Sequence, residues 1–459
     1  MMNIVIIGAG DVGLYIATIL SKEQHNIILV DKNGKKLQEA ASSLDVATRE
    51  GSGTDWQLLD DLLELSPNLL LALTDNDEVN LVACSIGKHL GYPRTVARVR
   101  DNRYLNRTRL DFARIFEVDY FIGPDILVAN DILKYMITPG SLAVENFAHG
   151  AVQLRTISVP QKWKKYDKPL SSLNLPKGLI VGLIRREIRE TKSSSNFSHA
   201  HQVIFPHGDD YILPGDEVTF IGETDVIADA NHFFNISQKS VQSAVILGGS
   251  LTGINLAKLL ARRDIHVRII DKDYDVCCEL TELLPSCTII HHNGTDYEFL
   301  LSEKVDQTDV FVTCTRSDET NLMAAMLAKQ AGCENVVVML SNTSYTSLLP
   351  QLGINYAVSP RISAANHILS QVLSGKVTSL VSLYENQAEI MEINVSLDSK
   401  IVGIPLASLG PLLPKDFLIA MIQNRGRIMI ANGNRIISPG DTVIVITNPK
   451  HARELEKIF

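Results

Sequence analysis

Short apolar runs alternate with amphipathic stretches along the first quarter of the chain. Four runs are four to six residues long, the length of strands buried on both faces of a parallel sheet: Ile4–Ile7, Ile27–Val30, Leu69–Thr74 and Val96–Arg100. Between them, Val12–Ser21 and Glu78–Leu90 carry apolar residues at helical spacing. This alternation predicts a doubly wound α/β sheet.

A second copy of this pattern follows later in the chain. GAGDVG at 8–13 recurs as GGSLTG at 248–253, and Asp31 recurs as Asp271, both 240 positions further on. The stretch 74–80 recurs in the same way at 315–321. Because the offset stays nearly constant over more than a hundred residues, the two stretches are copies of one module.

The segment that follows each α/β module is also repeated. PLSSL at 169–173 pairs with PLASL at 405–409, and the Pro-Gly-Asp turn at 214–216 pairs with the one at 439–441. Short strands separated by Gly-Asp turns predict a small α+β domain; in the first copy they are Leu179–Ile184, Val203–Pro206 and Val218–Ile221. The predicted fold class is therefore α/β, with two doubly wound Rossmann-like parallel-sheet domains, each followed by a small α+β domain. The expected bounds are 1–124, 140–225, 241–360 and 374–459.

Two connecting segments have patterns of their own. Pro124–Ile137 carries apolar residues at helical spacing and predicts a helix that links the first two domains. The offset between the copies falls from 238 positions at Pro176 to 225 at Pro214, so the first copy contains an insertion. Glu187–Ala200, which is rich in Ser and charged residues, is the expected insertion and predicts a mobile loop.

The glycine-rich segment 8–13 follows a strand and opens a helix, the context in which such glycines bind dinucleotides. We expect Gly8 to allow the tight turn, Gly10 to let a pyrophosphate approach the backbone and Gly13 to let the helix pack on the strand. Asp31, at the end of the second strand, would accept hydrogen bonds from a ribose hydroxyl, which favours NAD(H) or an adenine nucleotide over NADP(H). A glycine-rich turn without a ligand is the alternative.

The second copy departs from this motif at one position. It keeps Gly248, Gly253 and Asp271, but Ser250 replaces the central glycine, and we expect its side chain to crowd a pyrophosphate. Nucleotide binding and a purely structural sheet therefore both remain open for this copy.

Two arginines end a strand of the first copy, in the sequence Ala97-Arg98-Val99-Arg100, and have no counterpart in the second. At the carboxyl edge of the sheet, Arg98 and Arg100 could reach phosphates or could form surface salt bridges. Thr74-Asp75 and Thr315-Arg316 follow the fourth strand of each copy at the same edge. We expect Asp77, Glu78 and Asn80 to cap the next helix and interact with its dipole, and the two Pro-Gly-Asp segments to form β-turns.

Composition and charge exclude several classes of function. The 459 residues carry a net charge of −9, which argues against broad binding of nucleic acid. No apolar run approaches the ~18 residues that span a bilayer. The six cysteines form no C-x-x-C pair, which predicts buried reduced thiols. His199, His201, His291 and His292 lack further ligands at metal-binding spacing, so no metal is expected.

No catalytic motif stands out either. G-x-S-x-G, H-E-x-x-H and the phosphate-binding G-x-x-x-x-G-K-[ST] are absent from the sequence, and no Lys or His is marked as a base beside a nicotinamide. Two nucleotide-binding folds, each followed by the same small module, favour a sensor over an enzyme, and no catalytic residue is predicted.

The order of these features resembles that of the peripheral regulatory subunits of Trk-type potassium uptake systems, built from regulator-of-K⁺-conductance (RCK) modules. The resemblance covers essentially the whole chain and rests on the duplicated order, GAGDVG at 8–13, the stretches 74–80 and 315–321, the arginines at 98 and 100, and the two Pro-Gly-Asp turns. It implies a cytoplasmic protein that binds NAD(H) or ATP/ADP, catalyses no reaction, and forms a homo-oligomeric, tetrameric ring on the inner face of an integral-membrane potassium-translocating subunit.

The resemblance also implies two nucleotide sites. The first would comprise Gly8, Ala9, Gly10, Asp11, Val12, Asp31, Thr74, Asp75, Arg98 and Arg100, with the two arginines sensing terminal phosphates. The second would comprise Gly248, Gly249, Ser250, Leu251, Thr252, Asp271, Thr315 and Arg316. A soluble NAD-dependent oxidoreductase and a regulator of a cation exporter remain as alternatives.

Overall fold

The computed structural model describes residues 2–22, 24–106, 109–137, 141–188, 200–227, 229–236, 240–354, 356–372, 377–384, 387–410, 413–414 and 416–459. The chain divides into two compact units. The first comprises Met1–Leu133 and Val241–Ile368, and the second comprises Lys134–Ser240 and Leu369–Phe459. Each unit therefore contains both copies of one kind of module. We call them the α/β unit and the antiparallel unit.

The first α/β module has a six-stranded parallel sheet in the order β3-β2-β1-β4-β5-β6. Its strands are β1 (Asn3–Ile7), β2 (Asn26–Asp31), β3 (Ala47–Glu50), β4 (Leu69–Ala72), β5 (Thr95–Arg98) and β6 (Tyr120–Ile122). Its helices are α1 (Asp11–Lys22), α2 (Gly34–Ser43), α3 (Trp56–Leu62), α4 (Asp77–Leu90), α5 (Asn102–Leu105), α6 (Phe112–Ile115) and α7 (Pro124–Ile137). The helix predicted at Pro124–Ile137 is confirmed with the same bounds.

The first small module is a five-stranded antiparallel sheet in the order β10-β9-β11-β8-β7. Its elements are β7 (Ser141–Phe147), β8 (Val152–Ser158), β9 (Leu179–Ile188), β10 (Ala200–Ile204), β11 (Glu217–Glu223), α8 (Thr224–Ile227) and α9 (Asp229–Phe233). The strand predicted to end at Pro206 ends at Ile204 instead, since proline has no N–H with which to continue the pairing. Most of the predicted mobile loop, 189–199, lies outside the described residues.

The second α/β module repeats the first, with the sheet order β14-β13-β12-β15-β16-β17. Its strands are β12 (Ser243–Leu247), β13 (His266–Asp271), β14 (Thr288–His291), β15 (Val310–Thr313), β16 (Val336–Met339) and β17 (Tyr356–Val358). Its helices are α10 (Leu251–Ala261), α11 (Tyr274–Leu283), α12 (Tyr297–Ser302), α13 (Asp318–Gln330) and α14 (Pro360–Val372).

The second small module has the sheet order β18-β19-β22-β20-β21, the counterpart of the first. Its elements are β18 (Val377–Leu383), β19 (Ala388–Asn394), β20 (Phe417–Asn424), β21 (Arg427–Ile430), β22 (Thr442–Thr447) and α15 (Ala452–Ile458). The predicted fold class is confirmed: two doubly wound parallel sheets, each followed by a small domain around an antiparallel sheet.

Burial follows the predicted pattern in both units. In the α/β unit, the strands of each module form a separate apolar core, with Ile7 and Val30 in the first and Leu247 and Ile270 in the second. In the antiparallel unit, one core is shared by the two small modules, since Phe147, Leu154 and Leu183 pack with residues such as Ile390 and Ile446. None of the described helices is long and apolar enough to cross a membrane.

The cysteine prediction holds in part. No cysteine is paired, and Cys84, Cys277, Cys314 and Cys333 are buried. Cys278 is exposed and Cys287 is half-buried, so the prediction of burial is wrong for these two. Cys278 follows Cys277 in α11, and neighbouring helical residues point about 100° apart, so only one of the two can face the core.

Candidate functional site

Each α/β module has a tight turn between its first strand and first helix. Gly8 has φ +108° and Gly248 has φ +109°, in the region where side chains are strained. A Cβ on Gly8 would lie 2.9 Å from the backbone nitrogen of Thr74, and one on Gly13 would collide with the carbonyl oxygen of Gly8. The expected structural roles of Gly8 and Gly13 are therefore confirmed. Open space surrounds Gly10, whose contact with a pyrophosphate stays a prediction.

The acidic residue at the end of the second strand is bonded to this turn in both copies. Asp31 Oδ2 accepts a hydrogen bond from Ala9 N at 2.6 Å and Oδ1 accepts one from Asn33 N at 2.8 Å. Asp271 makes the matching bonds with Gly249 N at 2.7 Å and Asp273 N at 2.9 Å. A carboxylate has about four acceptor positions, so each Asp retains capacity for ribose hydroxyls.

A buried asparagine closes the carboxyl edge of each sheet. Asn80 Oδ1 accepts hydrogen bonds from Thr74 N at 2.9 Å and Thr74 Oγ1 at 2.6 Å, and its Nδ2 donates to the carbonyl oxygens of Thr74 and Arg98. Asn321 makes the same four bonds, with Thr315 and Met339 in the corresponding positions. Each asparagine therefore joins the ends of two adjacent strands. It also holds the threonine that follows the first of these strands.

The residues expected to cap the next helix act differently. Asn76 is the N-cap residue of α4, and its side chain accepts a hydrogen bond from Val79 N. Asp77, in the first turn, accepts hydrogen bonds from the backbone nitrogens of Arg100 and Asp101, and Asp318 does the same for Ser341 and Asn342 in the second copy. The expectation that Asn80 and Asp77 cap the helix is wrong, because their side chains bond to the strand ends beside it. The same bonds also shorten two strands. β4 ends at Ala72 and β5 at Arg98, whereas the sequence predicted that they end at Thr74 and Arg100. Asp77 and Glu78 do lie in the first turn of α4, where a negative charge interacts favourably with the helix dipole.

The two arginines of the first copy lie at this edge in different environments. Arg98 is half-buried, its Nη1 lies 3.4 Å from the carbonyl oxygen of Thr74, and its Nε has no hydrogen-bond partner among the described residues. Burial lowers its pKa, as does neighbouring Arg100, while Asp125, Asp77 and Asp75 act in the opposite direction. Arg100 forms an ion pair, with Nε 3.6 Å from Asp125 Oδ2. The salt-bridge interpretation thus describes Arg100, whereas Arg98 points inward beside Thr74.

The second copy contains a cavity of about 390 Å³ at the matching place. Its walls are the glycine-rich turn, the end of β13 and the residues after β15, and it includes two cationic side chains, Lys272 and Arg316. The predicted residues that line it are Gly248, Gly249, Ser250, Asp271, Thr315 and Arg316. The structure thus brings together most of the residues assigned to this site.

Ser250 has a structural role in this wall. Its Oγ donates a hydrogen bond to the carbonyl oxygen of Cys314 at 2.6 Å and accepts one from Gly253 N at 3.2 Å, as the N-cap residue of α10. The hydroxyl is therefore held against the end of β15, and the cavity is open beside it. The expected crowding of a pyrophosphate by Ser250 stays a prediction.

The remaining predicted residues lie at the margins of the two sites. Asp11 and Asp75 are exposed, Leu251 is half-buried, and Val12 and Thr252 are buried in the first turns of their helices. Because the side chains of Val12 and Thr252 are buried, only the backbone groups of these two residues are available to a ligand. Thr252 instead donates a hydrogen bond from Oγ1 to Asp125 of the first module, at 2.9 Å.

Sequence reasoning missed Asp125 and misjudged Asn80. The spacing of Thr74 and Asn80 recurs as Thr315 and Asn321, so the repeat itself contained a signal for the asparagine. No comparable signal marks Asp125, because Arg361 occupies its place in the second copy.

The described residues contain no group of three His, Cys, Asp or Glu side chains that could hold a metal ion. His291 Nε2 lies 3.1 Å from the carbonyl oxygen of Lys272, and the ring of His292 stacks on Phe299 at 3.8 Å. His199 lies outside the described residues.

A parallel sheet of this order, with a glycine-rich turn after its first strand and an acid after its second, defines a Rossmann-like domain of the nucleotide-binding class. This chain has two. The family model of the TrkA-N domain matches residues 4–122 and 244–360, and that of the TrkA-C domain matches 390–459. The chain belongs to the TrkA family.

Relatives and solved structures agree with this assignment. The chain is 31% identical over 466 residues to Trk system potassium uptake protein TrkA homolog 1 of Methanosarcina mazei, with 100% of both chains covered. It is 30% identical to the TrkA protein of Halomonas elongata, covering 100% of this chain and 98% of the relative. Its fold is similar to the GsuK RCK domain, with a TM-score of 0.59, 17% identity, and coverage of 100% and 94%. It is also similar to the GsuK channel bound to NAD, with a TM-score of 0.59, 16% identity, and coverage of 100% and 79%.

Proposed function

We propose that the protein is a cytoplasmic, nucleotide-sensing regulatory subunit that gates a membrane potassium uptake channel or transporter. The observation that carries this proposal is the duplicated site: two glycine-rich turns, each bonded to its own aspartate, in a chain of the TrkA family. Full-length relatives named as potassium uptake proteins support the role in potassium transport.

The proposed ligands are NAD(H) and ATP or ADP. In the first site, Asp31 would hold a ribose while the turn at Gly8 and Gly10 faces the phosphates. Arg98, whose Nε has no partner in the part of the chain that the structure describes, and Arg100 would reach terminal phosphates. The second site would use the cavity beside Asp271, with Lys272 and Arg316 as its cations. Solved relatives of similar fold are described as bound to NAD and to ADP, which supports both classes of ligand.

The protein would act by changing conformation rather than by catalysing a reaction. A nucleotide shifts an equilibrium between two conformations only if it binds one of them more tightly. The proposed assembly is a tetrameric ring attached to the inner face of the membrane through the potassium-translocating subunit. The GsuK channel and the GsuK RCK domain, which share this fold, support attachment to a channel.

Binding experiments test the ligand assignment. NADH and ATP are titrated by calorimetry into the wild type, Asp31→Ala and Asp271→Ala. We expect each variant to lose one binding event and to keep the other. Equal affinities in all three proteins would remove the assignment of both aspartates.

A growth experiment tests the transport role. Deletion of the gene is expected to impair growth at low external potassium, with recovery on re-expression of the wild type and less recovery with the double variant Asp31→Ala/Asp271→Ala. Normal growth of the deletion strain in a host without another uptake system would overturn the proposal. Sensitivity to high external cation instead would favour the regulator of an exporter, and NADH oxidation with a metabolite panel would favour an oxidoreductase.

A further inference from the structure

Asp125 lies between the two predicted sites of the α/β unit. Its Oδ1 accepts the hydrogen bond from Thr252 Oγ1 at 2.9 Å, and its Oδ2 lies 3.6 Å from Nε of Arg100. Thr252 is in the first turn of α10, directly after the second glycine-rich turn. Arg100 follows the strand end that faces the first site. A single carboxylate therefore contacts residues of both sites.

The Asp125 carboxylate is shielded from water, which strengthens its electrostatic interactions with neighbouring groups. The side chain of Asp125 is only 18% exposed, and Thr252 is 1% exposed. Charges that are shielded from water interact more strongly than exposed ones. The charge of Asp125 acts on the first site, where it opposes the lowering of the Arg98 pKa by burial. It also acts on the second site, where burial and then Asp125 raise the pKa of Cys314 to about 12.

We propose that Asp125 couples the two nucleotide sites, so that an anionic ligand in the first site weakens the binding of an anionic ligand in the second. This inference rests on the proposed function, since it requires nucleotides in both sites. A phosphate in the first site attracts Arg100, and Asp125 then loses its ion pair with this arginine while it stays bonded to Thr252. With less of its charge compensated, the carboxylate repels a pyrophosphate at the N-terminal turn of α10. By linkage, a ligand in the second site weakens binding in the first by the same factor.

The corresponding position in the second copy has the opposite charge. Asp125 is the second residue of α7, and Arg361 is the second residue of α14. The charge of Arg361 reaches Tyr15 in α1, where it opposes the raising of the tyrosine pKa by burial. A cation near the first site has no repulsive effect on a phosphate, so we assign the antagonism to Asp125 and not to Arg361.

The test compares isolated sites with the complete protein, using ADP as the ligand in calorimetric titrations. Asp271→Ala isolates the first site, and Asp31→Ala isolates the second. In the wild type, the second ADP to bind is expected to have a dissociation constant at least about fivefold higher than the same site has in its single-site variant. Asp125→Asn keeps an oxygen for Thr252 but loses the charge. In this background, both events are expected to match those of the isolated sites.

Asp131→Asn is the matched control. Asp131 lies on the same helix and also accepts a hydrogen bond from the second module, from Ser363 Oγ at 2.6 Å. This variant is expected to keep the wild-type antagonism. If both variants lose it, the effect is a general loosening of the contact between the modules, and the inference is wrong.

The remaining outcomes separate this inference from the proposed function. A wild type that binds neither ADP nor NADH overturns the proposed function and the inference together. Binding at both sites without antagonism, or antagonism that persists in Asp125→Asn, overturns only the inference. Binding of ADP by only one of the two single-site variants also overturns it, and leaves the proposed function with one site.

Discussion

Asn80 in α4 donates a hydrogen bond from Nδ2 to the carbonyl oxygen of Arg98, at 2.9 Å. The asparagine is completely buried and also makes three bonds to Thr74. It therefore joins the end of β5, which carries Arg98, to the end of β4, which is followed by Thr74.

Replacing Asn80 with leucine is expected to destabilise the protein. The change removes four hydrogen bonds to half-buried groups of Thr74 and to the carbonyl oxygen of Arg98, at a cost of about 3 kcal/mol. Thermal unfolding measures the loss as a lower midpoint. Asn321→Leu is expected to have a similar effect, because Asn321 makes the equivalent bonds. An unchanged midpoint in both variants would contradict the assigned role.

Replacing Ser250 with glycine distinguishes two roles for this side chain. The serine caps α10 and bonds to Cys314, so its loss is expected to lower stability by less than about 1 kcal/mol. Since its hydroxyl, in the wall of the cavity, is already bonded to Cys314 and Gly253, we expect the NADH affinity of the second site, measured in the Asp31→Ala background, to be unchanged. A large gain in affinity would show that the serine does crowd the pyrophosphate.

Replacing Arg98 with glutamine is expected to weaken ATP binding at the first site. The guanidinium is half-buried beside Thr74, where a charge-assisted bond to phosphate contributes about 1.5–3 kcal/mol, or roughly ten- to hundredfold in affinity. Calorimetry in the Asp271→Ala background measures the effect. Arg103→Gln is the control, because Arg103 is exposed and paired with Asp101. An equal loss of affinity in both variants would point to a non-specific effect of net charge.

The antiparallel unit is expected to lose stability at alkaline pH through Tyr384. Its hydroxyl lies 2.7 Å from Thr219 Oγ1, and burial raises its pKa from the ordinary 10.0 to about 12. The unfolded chain releases this proton at lower pH than the folded protein does, so the stabilisation is complete below pH 10 and is lost as the pH rises toward 12. Tyr384→Phe is expected to show a smaller fall in thermal midpoint over this range. The same fall in both proteins would assign the effect to other groups.

The sequence predicted the fold within each module better than the contacts between modules. Glycines, periodic apolar residues and the repeat are local signals, and they were sufficient for the sheets, the turn at Gly8 and the helix at Pro124–Ile137. The strands predicted to reach Thr74 and Arg100 end earlier because Asn80 and Asp77 bond to the backbone there. The pairing of like modules, and with it the position of Asp125, depends on contacts between residues far apart in the chain, which local periodicity does not report.

The shared core of the antiparallel unit has a consequence for synthesis on the ribosome. Phe147 and Leu183 belong to a core that is completed only by residues near the end of the chain, such as Ile446. While the chain is still growing, the first small module has an uncovered apolar face that waits for about 250 further residues to emerge. At the usual ~5–20 residues per second, this interval lasts on the order of 10 to 50 seconds. The duplication thus leaves the first small module with an exposed apolar face, a site for aggregation, until the second copy has been synthesised.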